Sequence, residues 1–286
     1  MARTTVGSHS SGKLTAMTER PTVAVVGVGA MGEALVTGLL AAGWDPADIT
    51  LISRRPERLA RVASRTGCPG GLDPAALVRG REVVVVSVKP RDVAGLLSQL
   101  KGAIGSDQVV LSIAAGVPTA TYEAVLGKVA VVRAMPNTPA LVREGVTGVA
   151  AGSHAGVDAL GKAIKVLEAV GAVRVMDESL LDSVTAVSGT GPAYVFLLAE
   201  ALTEAAIREG LPRDVAEEFV HRTIKGAGAL LLETGEAPAE LRAQVTSPGG
   251  TTAAAMHVLE ERVFRAVVED AVRAAAQRSR ELGAGG

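Results

Sequence analysis

Residues 22–32 read Thr22-Val23-Ala24-Val25-Val26-Gly27-Val28-Gly29-Ala30-Met31-Gly32, and this stretch decides the fold. A short, mostly β-branched apolar run leads into three spaced glycines, and a helical pattern over residues 33–42 follows. G-x-G-x-x-G in this context predicts a dinucleotide-binding turn. Gly27 permits the tight turn, Gly29 lets the backbone approach a pyrophosphate, and Gly32 allows close packing of helix on strand. The predicted cofactor-binding residues of the turn are Gly27, Val28, Gly29, Ala30, Met31 and Gly32.

A second strand is predicted over residues 49–52, and Ser53-Arg54-Arg55 follows it. An acidic residue at this place would bind the ribose 2′-hydroxyl of NAD, whereas an arginine suits the 2′-phosphate of NADP. Because no acid stands here, we predict NADPH as the cofactor, with NADH as a weaker substitute. Ser53 and Arg54 are the first expected contacts, and Arg55 is a stacking or second phosphate contact. The alternative is that both arginines only solvate a loop.

Three further apolar runs, over residues 83–88, 109–113 and 129–132, are typical of strands buried on both faces of a parallel sheet. Ligands of such sheets bind beyond the carboxyl ends of the strands. The residues after these runs should therefore line the cofactor site: Lys89-Pro90, Ala114-Ala115-Gly116, and the loop over residues 133–139. In that loop Asn137 and Thr138 offer donors and acceptors between two prolines, although a purely structural loop is the alternative.

The pattern of strands and helices changes near residue 176. Two edge strands are predicted over residues 145–150 and 172–176, around a helix at 157–170, and only helices follow, at 192–209, 213–233 and 252–282. We expect an α/β fold with a disordered tail (residues 1–20), a Rossmann-like doubly wound sheet (21–176), and an all-helical C-terminal substrate-binding and dimerisation domain (177–286). The first of the three helices is apolar on almost every face and must be covered. A homodimer formed through the helical half is expected, and helices packed on their own sheet are the alternative.

A glycine-rich and hydroxyl-rich break lies between two of the later helical patterns. It reads Gln244-Val245-Thr246-Ser247-Pro248-Gly249-Gly250-Thr251-Thr252. Free backbone N–H groups at the start of the following helix would suit a carboxylate or phosphate. The alternative is a loop that only ends one helix and caps the next.

Composition excludes several classes of function. The chain has 286 residues, 48% hydrophobic content and a formal net charge of −1, so nothing favours nucleic acid or an anionic membrane as a partner. No apolar run is long enough to span a bilayer, and residues 1–20 lack the apolar core of a secretion signal. Cys68 is the single cysteine and the four histidines are scattered, so we expect no metal site and a reducing, cytoplasmic location.

The motifs together resemble those of the pyrroline-5-carboxylate reductase family. The resemblance runs in order over nearly the whole chain beyond the tail, and the last of its blocks is the most specific. The matching blocks are residues 27–32, Val88-Lys89-Pro90, residues 133–139, Ser188-Gly189-Thr190-Gly191-Pro192-Ala193-Tyr194, and residues 241–252.

This resemblance implies that NADPH reduces L-1-pyrroline-5-carboxylate to L-proline in the last step of proline biosynthesis. It also implies an intertwined dimer, further assembled as a pentamer of dimers, whose active site joins the sheet domain of one subunit to helices of its partner. The implied substrate-binding residues are Glu178, Ser247, Gly249, Gly250, Thr251 and Thr252, with the Thr252 hydroxyl on the ring nitrogen. Val88 and Gln244 are implied cofactor contacts.

Two rival functions differ in class. A 3-hydroxyacid dehydrogenase of the 6-phosphogluconate dehydrogenase kind would pair a similar fingerprint with a helical half, but it needs a helix-borne catalytic lysine. Lys162, Lys165 and Lys225 lack the expected surroundings. A non-catalytic NADPH-sensing protein would keep the fold, and the complete loop over residues 247–252 argues against it.

Overall fold

The computed structural model describes residues 20–283. Within this range the strands belong to one sheet of eight. Their bounds are β1 Val23–Val26, β2 Ile49–Ile52, β3 Gly70–Gly71, β4 Val83–Val86, β5 Val109–Ser112, β6 Ala130–Met135, β7 Gly145–Ala151 and β8 Gly171–Val175.

The sheet runs in the order β3-β2-β1-β4-β5-β6-β7-β8. The strands from β3 to β6 are parallel, β7 is antiparallel to β6, and β8 is parallel to β7. The chain reverses its direction across the sheet between β1 and β4, because β2 and β3 lie on one side of β1 and β4 lies on the other. This is the place where doubly wound sheets bind their ligands.

Helices cover both faces of the sheet and make up the second half of the chain. Their bounds are α1 Ala30–Ala41, α2 Pro56–Thr66, α3 Pro74–Leu77, α4 Pro90–Leu100, α5 Thr119–Leu126, α6 Val157–Glu168, α7 Leu181–Val184, α8 Gly191–Arg208, α9 Arg213–Thr234, α10 Pro238–Gln244, α11 Thr251–Glu261 and α12 Phe264–Gly283. Short 3-10 turns lie at Pro46–Asp48, Thr138–Val142 and Glu178–Leu180, and a π-helical turn lies at Thr185–Gly189.

The core explains why the strands are continuous apolar runs. All four residues of β4 have no exposed surface. Val83 and Val85 pack on the side of α1 and α6, whereas Val84 and Val86 pack with Leu97 of α4 on the other side. A strand buried on both faces cannot alternate polar and apolar residues, so the parallel sheet predicted from these runs is confirmed.

The helical half leaves much of its apolar surface uncovered within one chain. From residue 177 to 283, buried apolar side chains are limited to Leu181, Ala186, Ala216 and Val220. Phe196 is 65% exposed and Leu232 is 85% exposed. Such a surface in a single subunit marks an interaction face.

Three details differ from the sequence-based expectations. β6 runs through Arg133–Met135, because Arg133, Ala134 and Met135 pair with β7, so the predicted loop begins only at residue 136. The predicted single helix over residues 252–282 is two helices, since the backbone turns at Val263 with a φ of 52°. Residues 1–19 lie outside the described range, but Arg20 is held by a 2.9 Å hydrogen bond to the Ala42 carbonyl.

Candidate active site

A cleft of about 720 Å³ lies beyond the carboxyl ends of β1, β2, β4 and β5. Of the predicted cofactor contacts, the residues that line it are Gly27, Val28, Gly29, Ala30, Met31, Ser53, Arg54, Arg55, Val88, Lys89, Pro90, Ala114 and Ala115. Residues from four strand ends, predicted separately, therefore meet in one cavity.

The three glycines of the turn differ in the space around them. One leaves room for a ligand, whereas the other two lie too close to neighbouring backbone atoms to carry a side chain. A Cβ on Gly29 would meet no atom within 4 Å, so this residue leaves the cleft open to a close-lying ligand. Gly27 has a φ of +99°, and a Cβ there would lie 2.7 Å from the Ser87 carbonyl oxygen. Gly32 does not line the cleft, and a Cβ on it would collide with the Gly27 carbonyl oxygen. Gly32 therefore serves packing, and Gly29 serves the approach of a ligand.

The N-terminus of α1 supplies donors to the same cavity. The Glu33 N–H donates to the Gly29 carbonyl over 2.8 Å. The N–H groups of the three residues between them precede the first full helical turn and have no acceptor inside the helix. They lie at the positive end of the helix dipole, where a pyrophosphate is stabilised. The open turn and these donors fit a dinucleotide.

Three arginines surround the end of the cleft near β2. Arg54 and Arg55 follow β2, and Arg58 on α2 joins them. Sequence reasoning missed Arg58, although the helix that begins at Pro56 places it one turn from Arg55. Ser53 is 7% exposed, and its hydroxyl accepts a hydrogen bond from the Arg55 N–H over 3.2 Å. This bond fixes the loop that presents the arginines.

Of the two polar residues predicted to face the cofactor from the loop after β6, one lines the cleft. Thr138 lines the cleft, but Asn137 does not. Asn137 is 8% exposed, and its Oδ1 accepts a 3.0 Å hydrogen bond from the Val146 N–H. Its side chain is therefore used to hold β7 against the loop.

Glu178 lies at the junction between the sheet and the helical half. Its carboxylate accepts hydrogen bonds from the Thr119 N–H over 2.8 Å and the Thr119 hydroxyl over 2.7 Å. The buried Arg133 guanidinium lies 3.3 Å from it and 3.6 Å from Asp182. Asp182 in turn accepts a 2.8 Å hydrogen bond from Ser279 of α12. Within the described chain, Glu178 does not line the dinucleotide cleft and joins a network linking β6, α5, α7 and α12.

A second buried pair lies beside this network. The Ser112 and Tyr122 hydroxyls are 2.5 Å apart. Burial raises the pKa of Tyr122 to about 12, although the hydrogen bond with Ser112 and the charge of Arg133 oppose that rise. The phenol therefore keeps its proton to a higher pH than an exposed tyrosine does.

The loop over residues 245–250 lies apart from the cleft of its own chain. It joins α10 to α11, and Gly249 takes a φ of +70° so that Gly250 can precede the first turn of α11. Neither the loop nor Gln244 lines the cleft formed by the described residues of the same chain. The Gln244 amide instead donates to Glu236. One subunit therefore does not bring the two halves of the predicted site together.

Residues 20–283 contain no cluster of three or more His, Cys, Asp or Glu side chains suited to a metal ion. In the same range no helix is both long and apolar enough to cross a membrane. Burial raises the pKa of the Cys68 thiol, which lies in the core beneath α2.

The sheet, the glycine turn and the arginine-lined cleft define a Rossmann-type dinucleotide-binding protein. Residues 22–116 match a family model described as NADP oxidoreductase, coenzyme F420-dependent, and residues 178–282 match one described as pyrroline-5-carboxylate reductase dimerisation. A pyrroline-5-carboxylate reductase of Methanosarcina acetivorans is 40% identical over 267 residues, covering 93% of this chain and 99% of the relative. The chain belongs to the pyrroline-5-carboxylate reductase family.

Solved structures agree with this assignment. A pyrroline-5-carboxylate reductase of Coxiella burnetii superposes with a TM-score of 0.87 at 37% identity, covering 92% of this chain and 99% of the other. The Plasmodium falciparum pyrroline carboxylate reductase with NADP bound superposes with a TM-score of 0.84 at 28% identity, covering 93% and 99%. The resemblance drawn from the motifs is thereby confirmed.

Proposed function

We propose that this protein reduces L-1-pyrroline-5-carboxylate to L-proline with NADPH, the last step of proline biosynthesis. The observation that carries the proposal is the combination of an open, arginine-lined dinucleotide cleft with a complete glycine and hydroxyl loop at the start of α11. The first feature fits an NADP-type cofactor, and the second fits the carboxylate of a small substrate.

The cofactor is proposed to lie along the cleft. The N-terminus of α1 and Gly29 would hold the pyrophosphate, and Ser53 with the arginines after β2 would hold the 2′-phosphate. Lys89, Pro90 and Ala114 line the cavity at the neighbouring strand ends and would enclose the remainder of the cofactor. When bound, NADPH supplies the hydride for the reduction.

The substrate is proposed to lie against the loop over residues 247–252. Backbone N–H groups at the start of α11 would hold its carboxylate, and the Thr252 hydroxyl would hydrogen-bond the ring nitrogen. Since this loop lies apart from the cleft of its own chain, we propose that a site combines residues 21–176 of one subunit with residues 177–286 of its partner. Glu178 would act at this junction, where it already joins the sheet to the helices.

The reaction does not require a strong acid. An imine nitrogen is far more basic than a carbonyl oxygen, so solvent or a hydroxyl can protonate it during reduction. Positioning the C=N carbon then supplies most of the rate enhancement. This explains a substrate loop that offers a threonine hydroxyl where a ketone reductase would need a lysine, histidine or tyrosine.

The proposed assembly starts from a homodimer and continues to a pentamer of dimers. The uncovered faces of α8 and α9 supply apolar surface for the dimer, including Phe196 and Phe219. A cytoplasmic location is proposed, since NADPH is supplied there and the single cysteine is buried.

The proposal is tested by following NADPH oxidation by the purified protein through its absorbance, with and without L-1-pyrroline-5-carboxylate. Proline is measured as the product. Substrate-dependent oxidation with one proline per NADPH is expected. NADPH binding without oxidation would favour a sensing protein. Reduction of NADP⁺ by 3-hydroxyacids, with no reaction of the imine, would favour the dehydrogenase alternative.

A further inference from the structure

One acidic side chain stands among the basic ones around the cleft. The described residues that line it include Arg54, Arg55, Arg58, Lys89 and Arg91, whereas Asp92 is the one acid. The Asp92 carboxylate lies 2.9 Å from the Arg54 guanidinium. This ion pair joins the loop after β2 to the first turn of α4, and both of its residues line the cleft.

The two side chains of this ion pair differ in how freely they can move. The Asp92 side chain is 24% exposed, and the backbone N–H of Asp92 donates to the Lys89 carbonyl over 2.8 Å in the first turn of α4. A carboxylate at this place is also stabilised by the helix dipole. The Arg54 side chain is 74% exposed, so it is the partner that can move. Arg55 and Arg58, by contrast, have no carboxylate partner in the described chain.

We propose that Asp92 is a specificity-determining residue that acts through Arg54 and restrains the preference for NADPH over NADH. This inference rests on the proposed use of NADPH. A 2′-phosphate must draw Arg54 from a carboxylate that already holds it, and the same carboxylate repels the incoming negative charge. NADH brings no phosphate to this place, so the ion pair can remain. Arg55 and Arg58 can bind the phosphate without first leaving a carboxylate partner.

The test measures dissociation constants of NADPH and NADH for the full-length protein and for Asp92→Asn, Arg54→Ala and the double variant. Asp92→Asn should lower the NADPH dissociation constant by about two- to fivefold, the range that exposed ion pairs give in double-mutant cycles. The change for NADH should be smaller. Arg54→Ala should weaken NADPH selectively, and in that background Asp92→Asn should have no further effect. Asp158→Asn, the same charge change in the first turn of α6 and away from the cleft, is the matched control.

An unchanged or higher NADPH dissociation constant in Asp92→Asn would overturn the inference. An equal effect of Asp92→Asn with and without Arg54 would also overturn it, because Asp92 would then not act through Arg54. Failure of the proposed reaction is recognised separately, since wild-type protein would then fail to form proline whatever its cofactor preference.

Discussion

At the scale of single residues, Thr252 is the side chain on which the proposed chemistry depends most. It is the second residue of α11 and is partly buried even in one subunit. Its hydroxyl is thus presented beside the backbone donors of a helix start, next to the proposed carboxylate site. In the proposed site this hydroxyl would act on the ring nitrogen of the substrate.

Thr252→Ala is expected to lower turnover by about ten- to a hundredfold. The reason is the loss of one polarising hydrogen bond of about 1.5–3 kcal/mol in a closed site. Steady-state kinetics with the imine measure the loss, and NADPH titration should show little change in affinity. Thr252→Ser keeps the hydroxyl and should recover most of the rate. Wild-type turnover by the alanine variant would remove Thr252 from the mechanism.

Because of Tyr122, the free energy of unfolding is expected to fall at alkaline pH. The unfolded chain loses this proton near pH 10.0, the ordinary pKa of a tyrosine, whereas the folded chain holds it until about pH 12. Stability from the neutral phenol is therefore complete below pH 10 and is lost as pH rises toward 12, by about 1.4 kcal/mol per pH unit. Urea unfolding between pH 9 and pH 11 should show this fall, which Tyr122→Phe should lack. Equal slopes for both proteins would contradict the burial of the phenol.

At the scale of elements, local pattern predicted most of the sheet because buried parallel strands are continuous apolar runs with few alternative interpretations. The break between α11 and α12 was missed, since Val263 is β-branched and gives no turn signal in the sequence. Likewise, no pattern reveals that Asn137 turns toward Val146, because this contact depends on tertiary packing. Arg58 did have a signal in the sequence, since Pro56 marks a helix start that places Arg58 one turn after Arg55. In the proposed site, the position of the loop over residues 247–252 relative to the cofactor depends on a second subunit, which no local pattern encodes.

The network around Arg133 is the clearest link between elements. Its guanidinium is 7% exposed and forms ion pairs with both Glu178 and Asp182, whose side chains are 28% and 25% exposed. Arg133→Met should therefore destabilise the fold by about 2–4 kcal/mol, somewhat below the loss for a fully enclosed pair, because both carboxylates keep some contact with water.

Urea unfolding measures that difference. Lys162→Met, which breaks the more exposed 2.8 Å pair with Glu82, is the matched control and should change stability by about 1 kcal/mol or less. Equal losses in the two variants would mean that the Arg133 network does not hold the helical half on the sheet.

At the scale of the whole molecule, the two halves bury their surfaces differently. The sheet half has a closed core on both faces, but α8, α9, α11 and α12 expose large apolar side chains within one chain. A homodimer through the helical half, as the matched dimerisation family model indicates, removes this surface from water.

Phe196→Asp is expected to weaken the dimer strongly, because a charge would be placed in the proposed interface. Sedimentation across a concentration series should show monomers, and activity should fall with them if sites are shared between subunits. Val157→Asp adds the same charge at an 87% exposed apolar residue of α6 and should leave the mass unchanged. An unaltered assembly of Phe196→Asp would place the interface elsewhere.

The proposed function rests on the claim that a hydride passes from NADPH to the imine carbon of the substrate. The most direct measurement uses NADPH carrying deuterium at either transferable position of the nicotinamide, with mass and position of label determined in the proline formed. One of the two labelled cofactors should give proline with a single deuterium on the former imine carbon. Unlabelled proline from both cofactors, or no proline at all, would contradict the claim.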